Sequence, residues 1–431
     1  MSAELSRGPL RISDNGRFLV HADGAPFFWL GDTAWELIHR LKREEIDFYL
    51  ENRAAKRFTV IQAVLLAEFG GLEIPNAYGR WPLIDFDPRR IDEGYFQLVD
   101  WTVARAAEKG LYLGLLPTWG NKVVAAPWEK APPRIIFNEE NARAYGFLLG
   151  ERYRQAQNIV WILGGDRSPC GVEAIWRAMA QGLRAGDRGA HLITFHPPGV
   201  GSSSQLHNEP WLDFNMIQSG HHSRDFPNYL NVGRDYGLKP SKPVLDGEPR
   251  YEDHPVDWKP DEKGYFDDYD VRQAAYWALL AGACGHTYGC HAVWQMLTHQ
   301  REAIGFAHGD WRSALDLPGA EQMRYVRELF SNLDFLSLRP ADSLVVDNSQ
   351  DGWQHAGVAG AEGIIVAYLP GGGTIRLRKS GLPEIASSRW FDPRTGAMRE
   401  AHPENRELLW QAPGPYARGN DWVLVLELER R

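Results

Sequence analysis

Short apolar runs alternate along most of the chain with longer stretches of helical periodicity. The apolar character of these runs is continuous rather than alternating, which is typical of parallel strands covered on both faces. We therefore interpret each run as a buried strand together with the loop that follows it. The runs are Phe27–Trp35, Phe58–Leu66, Tyr112–Gly120, Ile159–Arg167, His191–Pro197, Leu212–His221, Pro243–Tyr251 and Gly285–Trp294.

Helical patterns lie between most of these runs, and Gly110 follows one of them as a C-terminal capping signal. The eight alternations predict an α/β fold of the (β/α)8 TIM-barrel type. The alternative is a doubly wound open sheet, but neither G-x-G-x-x-G nor a Walker A motif follows any run. The predicted helices are Glu44–Lys56, Tyr95–Lys109, Asn141–Gln157, Gly171–Arg184, Ser223–Leu238, Tyr269–Ala283 and Gly319–Leu333.

The two ends of the chain differ from this repeating pattern. Turn signals at Asp14-Asn15-Gly16 and Asp23-Gly24 predict a β-hairpin within residues 1–26 that packs on the barrel. After Leu338 come short β-rich runs separated by Gly, Pro and Asp: SLVVD, GIIVAYL, GGTIRLRK, SRWFDPRTGAM and DWVLVLELE. These predict a small antiparallel β-sandwich. The expected domains are thus 1–26, 27–338 for the barrel and 339–431 for the sandwich.

Charge and composition narrow the classes of function. A net charge of −9 and a pI near 5.9 argue against a nucleic-acid partner. The polar N-terminus and the lack of long apolar stretches predict a cytoplasmic protein without membrane contact, as a monomer or small homo-oligomer. Three cysteines without CxxC spacing exclude a disulfide framework, although Cys284 and Cys290 could pair. The 12% aromatic content is compatible with core filling or with a cleft that stacks on sugars.

Two acidic residues stand where a barrel would place its active site, at the C-terminal ends of strands. Asp166 follows Gly164-Gly165 after the fourth run, and Glu248 follows Asp246-Gly247 after the seventh. Strands four and seven face one another across a barrel mouth, and glycoside hydrolysis needs two carboxyl groups that flank the scissile bond. We predict that Asp166 and Glu248 are catalytic. The alternative is that they are surface acids paired with Arg167 and Arg250.

Further polar and aromatic residues at the strand ends would suit sugar recognition, because indole faces stack on sugars and polar side chains bind hydroxyl groups. Asp32 could instead be a helix N-cap. A metal-dependent hydrolase using His196, His221, His286 and Asp32 is a second functional hypothesis, and a non-catalytic carbohydrate-binding protein is a third. We expect no metal and no cofactor. The predicted substrate-binding residues are Asp32, Trp35, Trp119, His196, Gln218, His221, His286, Tyr288 and Trp294.

Several long blocks resemble the apiosidase-like barrel family, assigned to glycoside hydrolase family 140. They are FFWLGDTAWELIHRL, WILGGD, KPVLDGEPRYE and AYWALLAGACGHTYGCHAVWQ. WFDPRTG and DWVLVLE resemble the collagen-binding-like C-terminal domain that accompanies this barrel, so the resemblance extends over roughly residues 9–428.

The resemblance implies a retaining hydrolase with Asp166 as proton donor and Glu248 as nucleophile. It also implies cleavage of apiosyl or related linkages during pectin degradation. Since the sequence shows no export signal, an oligosaccharide or small plant-derived glycoside is the expected substrate.

Overall fold

The computed structural model describes residues 7–129, 131–348, 352–379, 382–404 and 408–429. The first six residues of the predicted N-terminal segment therefore lie outside it. Strands β1 (Leu10–Ile12), β2 (Leu19–His21) and β3 (Pro26–Phe27) form an antiparallel sheet. It packs at the N-terminal ends of the barrel strands, where the ring centroid of Phe27 lies 4.9 Å from that of Tyr112.

The eight predicted barrel strands are present, and parallel pairing connects them in the order β8-β7-β6-β5-β4-β12-β11-β10. A short antiparallel strand, β9, extends the edge beside β10. The prediction of a TIM barrel is confirmed. The strands are β4 (Trp29–Thr33), β5 (Val60–Val64), β6 (Tyr112–Leu116), β7 (Ile159–Gly164), β8 (Ile193–His196), β9 (Gly201–Ser202), β10 (Asn215–Gln218), β11 (Val244–Asp246) and β12 (Gly285–Tyr288).

Helices cover the outside of this sheet and agree with the predicted ones to within a few residues, except that the helix expected over Ser223–Leu238 is shorter. Gly110 follows its helix with a positive φ of 77°, as the capping signal indicates. The helices are α1 (Leu37–Arg40), α2 (Arg43–Ala55), α3 (Glu93–Glu108), α4 (Glu139–Tyr153), α5 (Glu173–Asp187), α6 (Asn228–Tyr236), α7 (Pro260–Lys263), α8 (Asp268–Leu280), α9 (His291–Trp294), α10 (Trp311–Ala314) and α11 (Pro318–Ser331).

The barrel closes between β8 and β10 without a regular ladder. The Asp213 amide donates to the Ile193 carbonyl at 2.9 Å, and the Thr194 hydroxyl donates to the Phe214 carbonyl at 2.7 Å. The fully described connection between these strands contains β9 and the 3-10 turn Ser203–Leu206 in place of an α-helix. A further bond runs across the closure from the Ile193 amide to Asp213 Oδ2 at 2.6 Å. Side-chain and backbone bonds thus join the two strands at the βα unit whose connection has no α-helix.

The C-terminal domain is an antiparallel sheet with a smaller sheet beside it. The larger sheet has the order β13-β14-β15-β20-β17-β18, and β16 pairs with β19. The SLVVD run forms a 3-10 turn and one isolated bridge rather than a strand, whereas Gly357–Ala361, which has little β-branched character, does form one. The strands are β13 (Arg339–Pro340), β14 (Gly357–Ala361), β15 (Ile364–Leu369), β16 (Thr374–Arg376), β17 (Ile385–Phe391), β18 (Met398–Glu400), β19 (Leu409–Gln411) and β20 (Trp422–Leu428).

The central strands of the larger C-terminal sheet are buried on both faces. Along β15, Val366 and Tyr368 join the barrel core, while Ile365 and Ala367 join a separate core with the smaller sheet. The Tyr368 ring stacks on Tyr276 of α8 with centroids 4.8 Å apart. One face of this sheet therefore packs against α8.

Ion pairs, one of them buried, fasten the same interface. The guanidinium of Arg272 in α8 donates to both carboxylate oxygens of Asp421 at 3.0 and 2.8 Å, and both side chains are almost completely buried. Arg418 binds the N-terminal turn of α8 in the same bidentate way, with Nη1 and Nη2 at 2.9 and 3.0 Å from the Asp267 carboxylate. Bidentate charge-assisted bonds fix orientation as well as adding stability.

Other sequence-based expectations concern cysteines and membranes. Cys170, Cys284 and Cys290 are free thiols, so Cys284 and Cys290 do not pair. Within the described ranges, none of the helices has the length and apolarity needed to cross a bilayer.

We predict that Asp421→Asn lowers the free energy of unfolding by about 3 kcal/mol, because it removes the buried one of the two carboxylates that pair with the Arg272 guanidinium and leaves only the partly exposed Asp268. Glu427→Gln is the matched control, since Glu427 pairs with Arg389 at an exposed position and such a pair contributes about 1 kcal/mol or less. Urea unfolding of both variants measures the difference. Equal losses would contradict the role given to the Arg272–Asp421 pair.

Candidate active site

A cavity of about 530 Å³ opens at the C-terminal ends of the barrel strands, and Asp166 and Glu248 both line it. This volume lies within the usual range for small-molecule sites. Most of the other lining residues carry aromatic or imidazole rings. They are Trp35, Glu68, Phe69, Trp119, Trp128, Gly199, Gln218, Gly220, His221, His222, Tyr251, His254, Trp258, His291, Trp294, Ile304 and Gly305.

A tight turn after β7 presents Asp166 to the cavity. Gly164, Gly165 and Asp166 have positive φ values of 88°, 113° and 57°. A Cβ at Gly164 would lie 2.3 Å from the His196 carbonyl oxygen, and one at Gly165 would lie 2.8 Å from the Trp119 ring. The two glycines are therefore required by sterics as well as by backbone conformation. Asp166 itself lies in the left-handed region, which few non-glycine residues adopt.

Glu248 is held by β10 and by two imidazoles. The Ile217 carbonyl accepts from the Glu248 amide at 3.3 Å. The carboxylate oxygens lie 2.8 Å from His196 Nε2 and 3.1 Å from His221 Nε2. Burial raises the pKa of Glu248, but the two histidines outweigh burial and lower the pKa to about 2. Glu248 is thus an ionised carboxylate at ordinary pH.

His196 connects the two acidic residues. The Asp166 amide donates to His196 Nδ1 at 3.3 Å, so we assign the ring proton to Nε2, which faces Glu248. The imidazole is fully buried, with the rings of Trp35 and Trp119 centred 5.4 and 5.7 Å away. Because one buried imidazole contacts both the Asp166 backbone and the Glu248 carboxylate, it fixes the positions of the two residues relative to each other.

Asp166 lies in the opposite electrostatic situation. Burial, followed by the negative charge of Glu248, raises the pKa of Asp166, although His196, Arg167 and Gln218 oppose this change. Its side chain is 29% exposed, so it can reach a bound molecule. The site therefore pairs a carboxylate with a carboxyl group that retains its proton to higher pH than an ordinary aspartate.

Arg167 forms a charged cluster next to Asp166. Its Nη2 lies 2.7 Å from Glu129 and 3.5 Å from Glu68, and its Nη1 lies 3.4 Å from Asp166 Oδ2. Burial and the nearby charge of Asp166 raise the pKa of Glu68 above its ordinary value. Burial also lowers the pKa of Lys122, which lies under this cluster, to about 8. On this side of the cavity the ion pairs of Arg167 therefore lie next to two groups, Glu68 and Lys122, whose charged forms burial disfavours.

A row of imidazoles lies on the other side of the cavity. The ring centroids of His221, His254 and His291 follow one another at 4.2 Å. Burial, together with the neighbouring imidazoles, lowers the pKa of His254 and brings that of His291 to about 3, so both are neutral. His254 Nδ1 donates to the Pro255 carbonyl at 2.7 Å, which leaves Nε2 as an acceptor. His254 and His291 therefore offer hydrogen-bonding groups without charge.

Of the predicted substrate-binding residues, Trp35, Trp119, Gln218, His221 and Trp294 line the cavity. His196 lies beneath the cavity wall, where it contacts Glu248 rather than open space.

Asp32, Tyr288 and His286 require correction, because their side chains point away from the cavity. Asp32 accepts from Arg53 Nε and the Tyr49 hydroxyl of α2 at 2.6 and 2.5 Å, and it caps no helix. Tyr288, its register partner, donates to Glu252 at 2.6 Å. His286 is two residues earlier on the same strand and so faces the same side. Burial, together with Arg250, lowers the pKa of His286 to about 3.

Asp32 and His286 therefore do not converge with His196 and His221, so these four side chains do not form the metal site considered from the sequence. Within the described ranges there is no group of three or more His, Cys, Asp or Glu side chains that could hold a metal ion.

Several cavity residues are not in the predicted set. Glu68 and His291 follow the ends of predicted strands, so their positions in the sequence could have indicated that they line the cavity. Trp128, His254 and Trp258 belong to long loops, for which no periodic pattern exists. The remaining omissions are Phe69, Gly199, Gly220, His222, Tyr251, Ile304 and Gly305.

Comparisons with known proteins agree with this geometry. A family model described as the apiosidase-like catalytic domain matches residues 13–337. A second, described as a "putative collagen-binding domain of a collagenase", matches residues 339–427. No curated protein matches the chain.

Solved structures resemble the chain over its whole length. One named as a glycoside hydrolase is 32% identical, with a TM-score of 0.91, and the match covers 100% of this chain and 99% of that one. A glycoside hydrolase family 5 protein from Bacteroides vulgatus ATCC 8482 is 30% identical, with a TM-score of 0.90, covering 99% and 95%. A family 5 mannosidase from Rhizomucor miehei, 11% identical with a TM-score of 0.56 and covering 77% and 100%, shares the fold alone.

These matches confirm the resemblance to the apiosidase-like family and to its C-terminal domain, and they indicate a carbohydrate substrate. They favour an enzyme over the non-catalytic binding protein considered from the sequence. The first family model spans well over half of the chain. The protein belongs to the apiosidase-like family and is a glycoside hydrolase.

Proposed function

We propose that the protein is a retaining glycoside hydrolase that acts by double displacement, with Glu248 as nucleophile and Asp166 as acid and base. The observation that carries this proposal is that two carboxyl groups in unlike surroundings line one cavity. Glu248 contacts the imidazoles of His196 and His221, whereas Asp166 is partly exposed. These surroundings shift the two carboxyl pKa values in opposite directions, downward for Glu248 and upward for Asp166. Environments that separate the pKa values of two acids define their roles.

In the first step, the ionised Glu248 attacks the anomeric carbon while Asp166 gives its proton to the departing oxygen. The bond from the anomeric carbon to that oxygen breaks as the ester to Glu248 forms. In the second step, Asp166 removes a proton from water, which displaces Glu248 and releases the sugar. His196 and His221 hold the carboxylate in place through both steps.

For the glycone we propose an apiosyl residue or a related furanose or pyranose from a plant-derived oligosaccharide or glycoside. The support is the family match and the character of the cavity. The indole rings of Trp35, Trp119 and Trp294 supply surfaces for a sugar ring. The neutral imidazoles of His254 and His291 supply partners for hydroxyl groups.

Hydrolysis of an aryl-glycoside panel tests the assignment of the carboxyl groups. The panel comprises β-apioside, α-arabinofuranoside, β-galactofuranoside and common hexopyranosides. We expect wild type to cleave at least one member, Glu248→Gln to cleave none, and Asp166→Asn to be slower by about 10²–10⁴-fold, the usual contribution of general acid–base catalysis.

Glu252→Gln is the matched control, because Glu252 is a buried carboxyl group outside the cavity. Wild-type turnover by Glu248→Gln would rule out Glu248 as nucleophile. NMR of the first-formed anomer reports the stereochemistry, and an inverted product would contradict double displacement while leaving hydrolysis intact.

The pH profile of kcat/KM should report the histidine contacts of Glu248. The reaction needs Glu248 ionised, so activity is lost as the pH falls through its pKa of about 2. In His221→Phe the carboxylate loses one hydrogen bond. Burial, which raises the pKa of Glu248, is then opposed by His196 with less help. The acidic limb should then move up by roughly one to two pH units, because a hydrogen bond to a charged group is worth about 1.5–3 kcal/mol.

His222→Phe serves as the control, since the adjacent His222 contacts Asp257 rather than Glu248. Its acidic limb should coincide with that of wild type. An unmoved limb in His221→Phe would show that His221 does not set the ionisation of Glu248.

A further inference from the structure

Arg167 lies directly beside the proposed proton donor, where the charge of its guanidinium would favour ionisation of that acid. An opposite charge within about 4–6 Å stabilises a carboxylate and lowers the pKa of an aspartate by about 1–3. An ionised Asp166 has no proton to give to a departing oxygen. The Arg167 side chain is only 2% exposed, so solvent screens its charge weakly. The proposed mechanism therefore needs another group to take up the charge of Arg167.

The Arg167 guanidinium is turned away from the Asp166 carboxyl group. Nη2 donates to Glu129 Oε1 at 2.7 Å, which is the usual length of a charge-assisted hydrogen bond. Nη1 donates to the Asp166 backbone carbonyl at 3.0 Å and lies 3.4 Å from Asp166 Oδ2. An arginine commonly binds a carboxylate through two parallel N–H groups, whereas the Asp166 carboxyl group receives one long contact. The guanidinium therefore pairs with Glu129 rather than with Asp166.

The loop after β6 holds Glu129 in position to bind Arg167. Its second carboxylate oxygen, Oε2, accepts from the Ala126 amide at 2.6 Å. The indole of Trp128 lies under the guanidinium, with the ring centroid 5.1 Å from Arg167 Cζ. Gly120 leaves room for the Arg167 stem, because a Cβ at Gly120 would lie 2.7 Å from Arg167 Cγ. These backbone, ring and carboxylate contacts fix one orientation of the Arg167 side chain.

Glu68 also lies near Arg167, but it is less suited to neutralise the guanidinium. Its Oε1 atom is 3.5 Å from Arg167 Nη2, against 2.7 Å for Glu129. Burial, followed by the negative charge of Asp166, raises the pKa of Glu68 and so favours its neutral form. Glu129 is therefore the carboxylate that balances the charge of Arg167.

The ionisation of Asp166 depends on groups from several elements around it. Burial and then Glu248 raise the pKa of Asp166, whereas His196, Arg167 and Gln218 lower it. Of the groups that lower this pKa, Arg167 carries a full charge at every ordinary pH. Pairing Arg167 with a carboxylate thus removes the most persistent influence toward ionisation. The titratable, charged and amide groups that surround Asp166 and Arg167 are Glu36, Glu68, Lys122, Glu129, His196, Gln218, His221 and Glu248.

Resting on the proposed function, we propose that Glu129 is a positioning residue for Asp166: it binds Arg167 and thereby prevents the guanidinium from forming a full ion pair with the acid. Glu129 does not line the cavity that holds the two carboxyl groups, so it acts through Arg167. Asp166 can then keep its proton until the departing oxygen takes it. Once Asp166 is a carboxylate, the 3.4 Å contact from Arg167 Nη1 remains to stabilise it for the second step.

Carbon-13 NMR titration of the Asp166 carboxyl group tests this role without a substrate. Glu129→Gln keeps the size of the side chain and removes its charge. We expect the midpoint of the Asp166 titration to fall by roughly one to two pH units in Glu129→Gln, because Arg167 then lacks its closest carboxylate. The alkaline limb of kcat/KM for a cleaved member of the aryl-glycoside panel should fall by the same amount, since that limb reports the acid of the free enzyme.

Glu73→Gln is the matched control, because Glu73 is a half-exposed glutamate that pairs with Arg134 rather than with Arg167. It removes the same charge from a neighbouring loop and should leave the Asp166 midpoint and the alkaline limb unchanged. A second comparison repeats Glu129→Gln in an Arg167→Met background. If Glu129 acts through Arg167, the change in the Asp166 midpoint should largely vanish there.

An Asp166 midpoint in Glu129→Gln equal to that of wild type would overturn the role of Glu129 while leaving the proposed hydrolysis standing. A fall of full size in the Arg167→Met background would overturn it as well, because Glu129 would then not act through Arg167. If wild type cleaves no glycoside of the panel, the proposed function fails, whereas the NMR midpoints still decide whether Glu129 controls the ionisation of Asp166.

Discussion

The imidazole of His196 is the contact on which the rest of the site depends. Nδ1 accepts from the backbone of Asp166 and Nε2 faces the Glu248 carboxylate. This single ring favours ionisation of Glu248 and also fixes the turn that carries the second acid. Because the ring is wedged between Trp35 and Trp119, its orientation is set by packing and not by the ligand. Two carboxyl groups are thereby made chemically unlike before any sugar binds, which is the preorganisation that catalysis requires.

The C-terminal domain supports this site by packing against α8 of the barrel. Its larger sheet covers α8, the helix that follows the Glu248 loop, and buried or bidentate contacts from Asp421 and Arg418 fasten the N-terminal half of that helix. A sheet with both faces already occupied has little apolar surface left for another partner. We therefore interpret the C-terminal domain as a structural part of the enzyme that stabilises α8.

Much of the fold could be predicted from the sequence, but the direction of side chains could not. Continuous apolar runs identified the barrel strands, and glycines before Asp166 and Glu248 indicated where the chain turns into the cavity. Strands buried on both faces lack the alternation of polar and apolar residues that reveals which face is inward. For this reason Asp32, His286 and Tyr288 could not be distinguished from Trp35 and His221. Loop residues such as Trp128 have no periodic signal, and only the folded chain brings them to the cavity.

Site-specific carbon-13 NMR titration of the glutamate and aspartate carboxyl groups, assigned by comparison with Glu248→Gln and Asp166→Asn, tests the central claim most directly. It needs no knowledge of the substrate. We expect Glu248 to remain ionised down to a pH of about 2, while Asp166 takes up its proton at a pH above that of an ordinary aspartate. The reverse order, with Asp166 ionised and Glu248 protonated over the same range, would contradict the assignment of nucleophile and acid.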